Sequence, residues 1–394
     1  MATIINNTQR ADLSPVAEQL IQQRGFSGSY AAQDITFLLQ QVQVDNTPPE
    51  EKERLIQSGQ KHYSQMISEE KAPSAQHLEL YEQALAQGGL RMASEVQMLA
   101  QRLVDEFAEP IILVSFVRAG VPLGVLLKHA IEDLGVQCLH YGISIVRDRG
   151  IDHAALESII ARHSYESLVF VDGWTGKGAI SQELQRSLGN DPRFQSCERG
   201  SLPLVTLADI GGHSWLAASG DDWLIPSGVL GSTVSGLISR SVCLNEPLQA
   251  HEISADNLNE WHGCMVYQHL QDDDQSAPFI VQINRLRRGL SPVTAATWTT
   301  EQRLQQRAQA SQVIRQLAEE YQVKNLNRIK PGIAEATRAI LRRVPEVVLL
   351  RDEHDPDTVL LRYLTQKTGT PVKVVGDAIA PYRAVTLIQN KGAA

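Results

Sequence analysis

The chain has 394 residues, 43% hydrophobic and 21% charged, with a net charge of −9 at neutral pH, the makeup of a globular protein with room for two or three domains. It contains no apolar run of about 18 residues and no signal-peptide pattern over Met1 to Phe26, which argues against membrane insertion and secretion and makes the cytoplasm the expected location. Four scattered cysteines (Cys138, Cys197, Cys243 and Cys264), without CxxC spacing, argue against a disulfide framework and a zinc site.

Residues 1–90 form a mostly helical, polar region. Helices are expected over Ser14 to Gln23 and Ser74 to Ala86, and Pro48-Pro49-Glu50-Glu51 is a helix start, because proline suits the first turn and acids there complement the helix dipole. Tyr30 and Asp34, four apart beside an apolar patch, are expected to pack in the core.

Residues 91–250 alternate between strand and helix. A helix over SEVQMLAQRLVDEF, with Val96, Leu99, Leu103 and Val104 apolar, leads through Pro110 into the buried run Ile111 to Phe116 and then a helix over Leu123 to Leu134. Gln137 to Val146 is the next strand, ending in Arg147-Asp148-Arg149-Gly150. A helix over His153 to Arg162, a strand over Leu168 to Val171, a helix over Ala179 to Leu188 and a strand over Leu202 to Leu207 follow. Such alternation predicts an α/β fold with an open, mostly parallel sheet and helices on both faces.

Ser219 to Ser241 is rich in glycine and serine. Residues 251–322 form a connector or accessory region, with a polar, Gln-rich helix over Thr299 to Tyr321. Here Trp261, His262 and Cys264 lie close together. On a strand, His262 and Cys264 would face the same way, as a thiol and its base must, but no family signature surrounds them and buried structural roles are the expected explanation. Residues 323–394 carry 12 Lys/Arg against 7 Asp/Glu, a basic excess that fits either a nucleic-acid face or a solvated surface.

The richest chemistry lies at Leu168 to Leu184. An apolar strand ends on Asp172, passes through Gly173, Trp174, Thr175, Gly176, Lys177 and Gly178, and becomes helix at Ala179. Glycines allow backbone N–H groups close to an anion, the helix start adds donors and a positive dipole end, and Thr175 and Lys177 add a hydroxyl and a charge. The spacing is neither that of a Walker loop nor GxGxxG, and an ordinary Gly-rich turn is the plain alternative.

This stretch resembles the phosphoribosyl-diphosphate (PRPP) signature of type I phosphoribosyltransferases, with Gly173 standing where that family has a second acid. SFVRAG, Ser115 to Gly120, resembles the family's pyrophosphate loop. HYGISIVRD, His140 to Asp148, resembles the uracil enzymes' stretch before a mobile loop, and LIPSGVLGSTVSGLISR occupies the place of their base-recognition loop. The resemblance implies a type I phosphoribosyltransferase-like domain over 91–250 that transfers ribosyl from PRPP to a base-like acceptor and releases pyrophosphate. Asp172, Arg118 and Arg147 would be the catalytic residues. Arg118, Ala119 and Gly120 would hold the diphosphate, and Asp172 the ribose hydroxyls. Gly173, Trp174 and Thr175 to Ala179 (Thr175, Gly176, Lys177, Gly178, Ala179) would hold the rest of PRPP, with Arg149 in the closing loop and Pro226 and Gly228 at the base. Mg²⁺ would arrive with PRPP, with no protein ligand set of its own.

Ile329 to Val375 resembles the Pelota-type RNA-binding domain, with Lys330, Gly332, Glu335, Arg338, Asp352, Pro356 and Pro371 at the family's positions. The resemblance implies a small α/β/α domain over 323–394 that meets RNA through Lys330, Gly332, Glu335 and Arg338, where a glycine at a helix start admits the backbone and the cations neutralise phosphates. Over its whole length the chain resembles a bacterial phosphoribosyltransferase-like family of tellurite-resistance and stress operons, a family that has also carried a cysteine-protease label. The alternatives to transfer are therefore a non-catalytic, RNA-bound sensor of PRPP or a nucleotide, and a cysteine protease. The expected partners are PRPP or a related phosphorylated nucleotide, a structured RNA and a second copy of the chain, with no membrane.

Overall fold

A computed structural model describes residues 7–195, 201–291 and 298–390; Cys197 lies outside them. Its centre is a six-stranded sheet of β1 (Thr36–Phe37), β2 (Ile111–Phe116), β3 (Cys138–Ile143), β4 (Leu168–Thr175), β5 (Leu204–Asp209) and β6 (Leu216–Ser219). The spatial order is β1-β3-β2-β4-β5-β6, and every pairing is parallel. Successive strand residues point to opposite faces. Leu113, Val169 and Val171 join one apolar cluster, whereas Ile112, Leu168 and Phe170 join another. Burial on both faces is why these strands are continuous apolar runs rather than alternating ones.

Helices cover both faces, as the sequence pattern predicts. On one side α3 (Ala75–Glu106) and α4 (Gly120–Asp133) contribute Val96, Leu99 and Val125. On the other, α1 (Asn7–Arg24), α5 (His153–Ile160) and α6 (Ala179–Leu188) contribute Ala17, Leu156 and Leu184. Two details depart from expectation. The helices anticipated over Ser74 to Ala86 and from Met92 are one 32-residue helix, α3. Its Gly88 does not end it, because that position meets another element, where a Cβ would lie 2.8 Å from the Trp223 ring. Residues 1–90 are also not purely helical, since β1 is the sheet's edge, pairing Thr36 with Tyr141.

Helices α7 (Ser276–Arg288) and α8 (Thr300–Glu320) lead to the C-terminal unit. There β7 (Ile329–Pro331), β8 (Pro345–Leu350), β9 (Val372–Val374) and β10 (Ala384–Ile388) form a mixed sheet in the order β7-β10-β8-β9, with α9 (Ile333–Arg342) and α10 (Val359–Thr368). This unit is held over the carboxyl ends of β2 and β4. Buried Glu53, on α2 (Pro49–Gln57), pairs with Arg343 at 2.8 Å, and Arg383 reaches Asp221 at 3.1 Å. No helix among the described residues is long and apolar enough to cross a membrane.

Candidate functional site

A cavity of about 320 Å³ lies where β2 and β4 end, in the position where open α/β sheets bind ligands. It collects most of the residues singled out from the sequence. Arg118, Ala119, Arg147, Asp172, Trp174 and the loop Thr175 to Ala179 all line it. Gly178 is left-handed, with φ +77°, and a Cβ there would strike the His213 ring at 2.2 Å, so only glycine can start α6 in this place. A Cβ on Gly173 would lie 2.9 Å from the Ala119 carbonyl oxygen. The two loops are packed together where a second acid would have to project.

Several side chains do not do what the loop's composition suggests. Thr175 Oγ1 donates to Asp209 Oδ1 at 2.6 Å and accepts from the Gly211 N–H at 3.0 Å, so its hydroxyl ties β4 to β5. Lys177 Nζ donates to the Leu326 and Ile329 carbonyls, the latter at 2.9 Å, and thereby holds the C-terminal unit. Asp172 accepts from the Gly173 N–H at 2.8 Å, and burial pushes its carboxyl up to about 7. Gly120, Pro226 and Gly228 are packing positions. A Cβ on Gly120 would meet the Val171 carbonyl oxygen at 2.2 Å, and one on Gly228 would lie 3.6 Å from the Trp174 ring. Arg149 turns away from the cavity and donates to the Asn245 carbonyl at 3.1 Å.

The residues expected to face RNA are turned inward. Lys330, Glu335 and Arg338 line this same cavity, and the Arg338 guanidinium stacks 4.5 Å over the Trp174 ring. Gly332, with φ +86°, begins α9, but that helix start is already capped. Asp222 from the other unit accepts from the Ile333 N–H at 2.9 Å and from the Arg383 N–H at 2.8 Å. An RNA backbone could approach this glycine only if the two units parted.

A second constellation lies behind the first. Val242 and Gly263 form an antiparallel bridge, with both N–H···O bonds at 2.7 Å. Residues adjacent to such a pair on opposite strands project to the same face, so the register sets Cys243 against His262. Ser144 Oγ holds His262 Nδ1 at 2.7 Å, which leaves Nε2 for another partner. Asp152 carries the His262 backbone, accepting its N–H at 2.6 Å, while its other oxygen caps α5 through the Ala155 N–H at 3.0 Å. Burial alone would lower the His262 pKa, but the Asp152 carboxylate and the Cys243 thiol outweigh it and leave the imidazole raised. Arg149 Nη1 lies 3.9 Å from Cys243 Sγ, a cation beside the sulfur.

The buried structural role expected of Cys264 holds, and the thiol set against His262 is Cys243 instead. Cys264 is fully buried in the apolar core, and burial pushes its thiol up to about 12, as it does that of Cys138. Cys243, Ser144 and Asp152 were missed because nothing local joins them. The one available signal is that both Val242-Cys243-Leu244 and Trp261-His262-Gly263 have strand-forming flanks. Among the described residues no group of three or more His, Cys, Asp or Glu side chains is placed to hold a metal.

Comparison with known proteins bears on the chemistry. Residues 28–284 match the family described as tellurite-like stress resistance cysteine protease StiP, and residues 308–390 match the PELOTA RNA-binding domain. A relative from Acinetobacter baylyi named "Cysteine protease StiP" is 65% identical over 376 residues, which cover 95% of this chain and 97% of that one. No solved structure matches the chain. The stress-resistance and Pelota parts of the sequence resemblance agree with these findings. Phosphoribosyl transfer does not, and neither does classification as a glycosyltransferase: the relative and the family are both named as cysteine proteases. The expectation of a PRPP-dependent transferase is overturned on that ground.

Proposed function

Because the chain belongs to the family of tellurite-like stress resistance cysteine proteases StiP, we propose that it is a thiol hydrolase of peptide bonds, with Cys243 as nucleophile and His262 as base. The juxtaposition of Cys243 and His262 across the Val242–Gly263 bridge carries this reading. Ser144 fixes the imidazole by its Nδ1, as the third group of a nucleophile–base pair does, so that Nε2 can take the thiol proton. Sγ then bonds to the substrate carbonyl carbon and its π electrons move onto oxygen. As they return, the C–N bond breaks and the amine leaves with the proton from His262. Water hydrolyses the resulting thioester by the same route and regenerates the thiol. Arg149 Nη1 lies 3.9 Å from the sulfur, and Asp152 favours the imidazolium.

Cys243 is only 4% exposed and His262 only 8%. A substrate carbonyl therefore reaches the sulfur when the following loop moves, and that loop already presents Leu244 and Glu246 to solvent. The test is hydrolysis of a denatured protein substrate such as casein by wild type, Cys243→Ala and His262→Ala, together with mass mapping of a thiol alkylator that inhibits. Both variants should lose at least about a thousandfold in rate, with the label on Cys243. Full activity in Cys243→Ala, or inhibition mapping to Cys138, Cys197 or Cys264, would refute the assignment.

A further inference from the structure

A second cavity, of about 680 Å³, opens between α2, the segment Ile67 to Ser74 and the C-terminal helices α9 and α10. It shares Lys52, Arg118, Arg240 and Arg342 with the first cavity but none of the Thr175 to Ala179 loop, and neither Cys243 nor His262 lines it. Ile67, Tyr267, Ile340 and Leu364 give it apolar walls, and the exposed Lys71 and Lys367 also line it. Its volume is that of a small-molecule site.

Lys52 is the unusual group in the wall. It lies on α2, whose other charged residues Glu50, Glu51 and Arg54 are not buried, yet its own side chain is. Nζ donates to Ser68 Oγ at 3.4 Å, and Ser68 donates in turn to the Thr47 carbonyl at 2.9 Å. Because Ser68 lines only the second cavity, that bond turns the amine toward it. Among the described residues no carboxylate forms an ion pair with Lys52. Glu53, its neighbour on α2, pairs with Arg343. Of the acids that line the cavity, Glu70 pairs with Arg118 at 2.8 Å and accepts from the Ser232 N–H, and Glu69 is exposed. Glu53 still attracts the lysine's charge, but burial first, then Arg240, Arg342 and Arg343, outweigh it and take Lys52 down to about 7. About half of this amine is therefore neutral at pH 7. A buried amine beside other cations is the form of lysine that attacks carbonyl groups.

We propose that Lys52 captures, as an imine, a small aldehyde or ketone that carries a negative charge and binds in this cavity. The Nζ lone pair bonds to the carbonyl carbon, and the C=O π electrons move to oxygen. That oxygen takes one proton from the nitrogen and one from solvent and leaves as water, while the nitrogen lone pair forms the C=N bond of a protonated imine. Hydrolysis reverses the step, so no oxidant or reductant enters. The imine is cationic, and a negative charge on the ligand keeps the arginine cluster from holding it unbalanced. Arg342 offers that charge a planar fork, since its own carboxylate contact, Glu70, is 3.8 Å away.

The test is reductive trapping of the full chain at pH 7. Sodium cyanoborohydride is added with either glyoxylate, which carries a carboxylate, or uncharged propanal, and the labelled lysines are identified by peptide mass mapping. With glyoxylate, Lys52 should be labelled at least about tenfold faster than the exposed Lys61 and Lys324. The ratio of Lys52 to Lys61 labelling should be at least about threefold larger with glyoxylate than with propanal, because only glyoxylate offers Arg342 an anion. Both preferences should vanish in the urea-unfolded chain. Labelling of Lys52 no faster than that of Lys61, equal ratios for the two aldehydes, or a preference that survives unfolding would overturn the proposal. The readout is the label and not proteolysis, so this proposal and the thiol reading can fail separately.

Discussion

Cys243 and His262 face each other across a two-residue antiparallel bridge, and a serine from the end of β3, Ser144, holds the far nitrogen of the imidazole at 2.7 Å. No helix or long strand joins the three; a loop, a bridge and the end of a sheet strand place them. The cysteines should therefore differ sharply in reactivity. Cys138 and Cys264 have thiols pushed up to about 12 by burial, so almost none of either is thiolate at pH 8. Iodoacetamide at that pH should label Cys243 at least about tenfold faster than either, as read by peptide mass mapping. Equal labelling, or labelling led by Cys264, would contradict the pairing with His262.

Ser144→Ala tests the orientation of the base. The variant leaves His262 Nδ1, now bonded at 2.7 Å, without its partner in a fully buried site. The unsatisfied group should cost about 1–3 kcal/mol of stability, measurable by urea unfolding. Turnover should fall by about ten- to a hundredfold with KM little changed, because the serine touches the base and not the substrate. A KM effect alone would mean that Ser144 does not act through the imidazole.

Asp172 makes stability depend on pH. Burial raises its folded-state carboxyl from the ordinary value of 3.8 to about 7. Between those two values the folded chain holds a proton that the unfolded chain has released, so this group's contribution to stability falls as pH rises from about 4 to about 7. Asp172→Asn removes the titration and keeps the shape. Its melting temperature should exceed that of wild type by more at pH 8 than at pH 5, with a difference on the order of a few kcal/mol between the two. An offset independent of pH, read by thermal melts across the range, would show that Asp172 stays ionised in the folded chain.

Glu53→Ala tests how the two units are clamped. Glu53 is 0% exposed and both of its oxygens pair with Arg343 of the C-terminal unit. Breaking a buried pair from one side leaves an uncompensated charge and should cost about 3–5 kcal/mol. Differential scanning calorimetry should then show the C-terminal unit melting ahead of the parallel sheet. A single transition at the wild-type temperature would mean that Asp222 and Lys177 hold the interface without this pair.

Local patterning in the sequence determined the parallel sheet and its flanking helices, because apolar periodicity acts over a few residues at a time. The family resemblance implied that Arg118, Asp172 and the Thr175 to Ala179 loop would meet, and they line one cavity because neighbouring strands of the sheet end side by side. What the sequence could not determine was which donors remain free there. Thr175 gives its hydroxyl to Asp209, Lys177 gives its ammonium to the Ile329 carbonyl, and Asp222 caps the helix start at Gly332, all through contacts distant in the chain. The pairing of Cys243 with His262 depends in the same way on one bridge between separate loops. Tertiary structure decided these because long-range contacts select among chemical partners that local sequence leaves equally available.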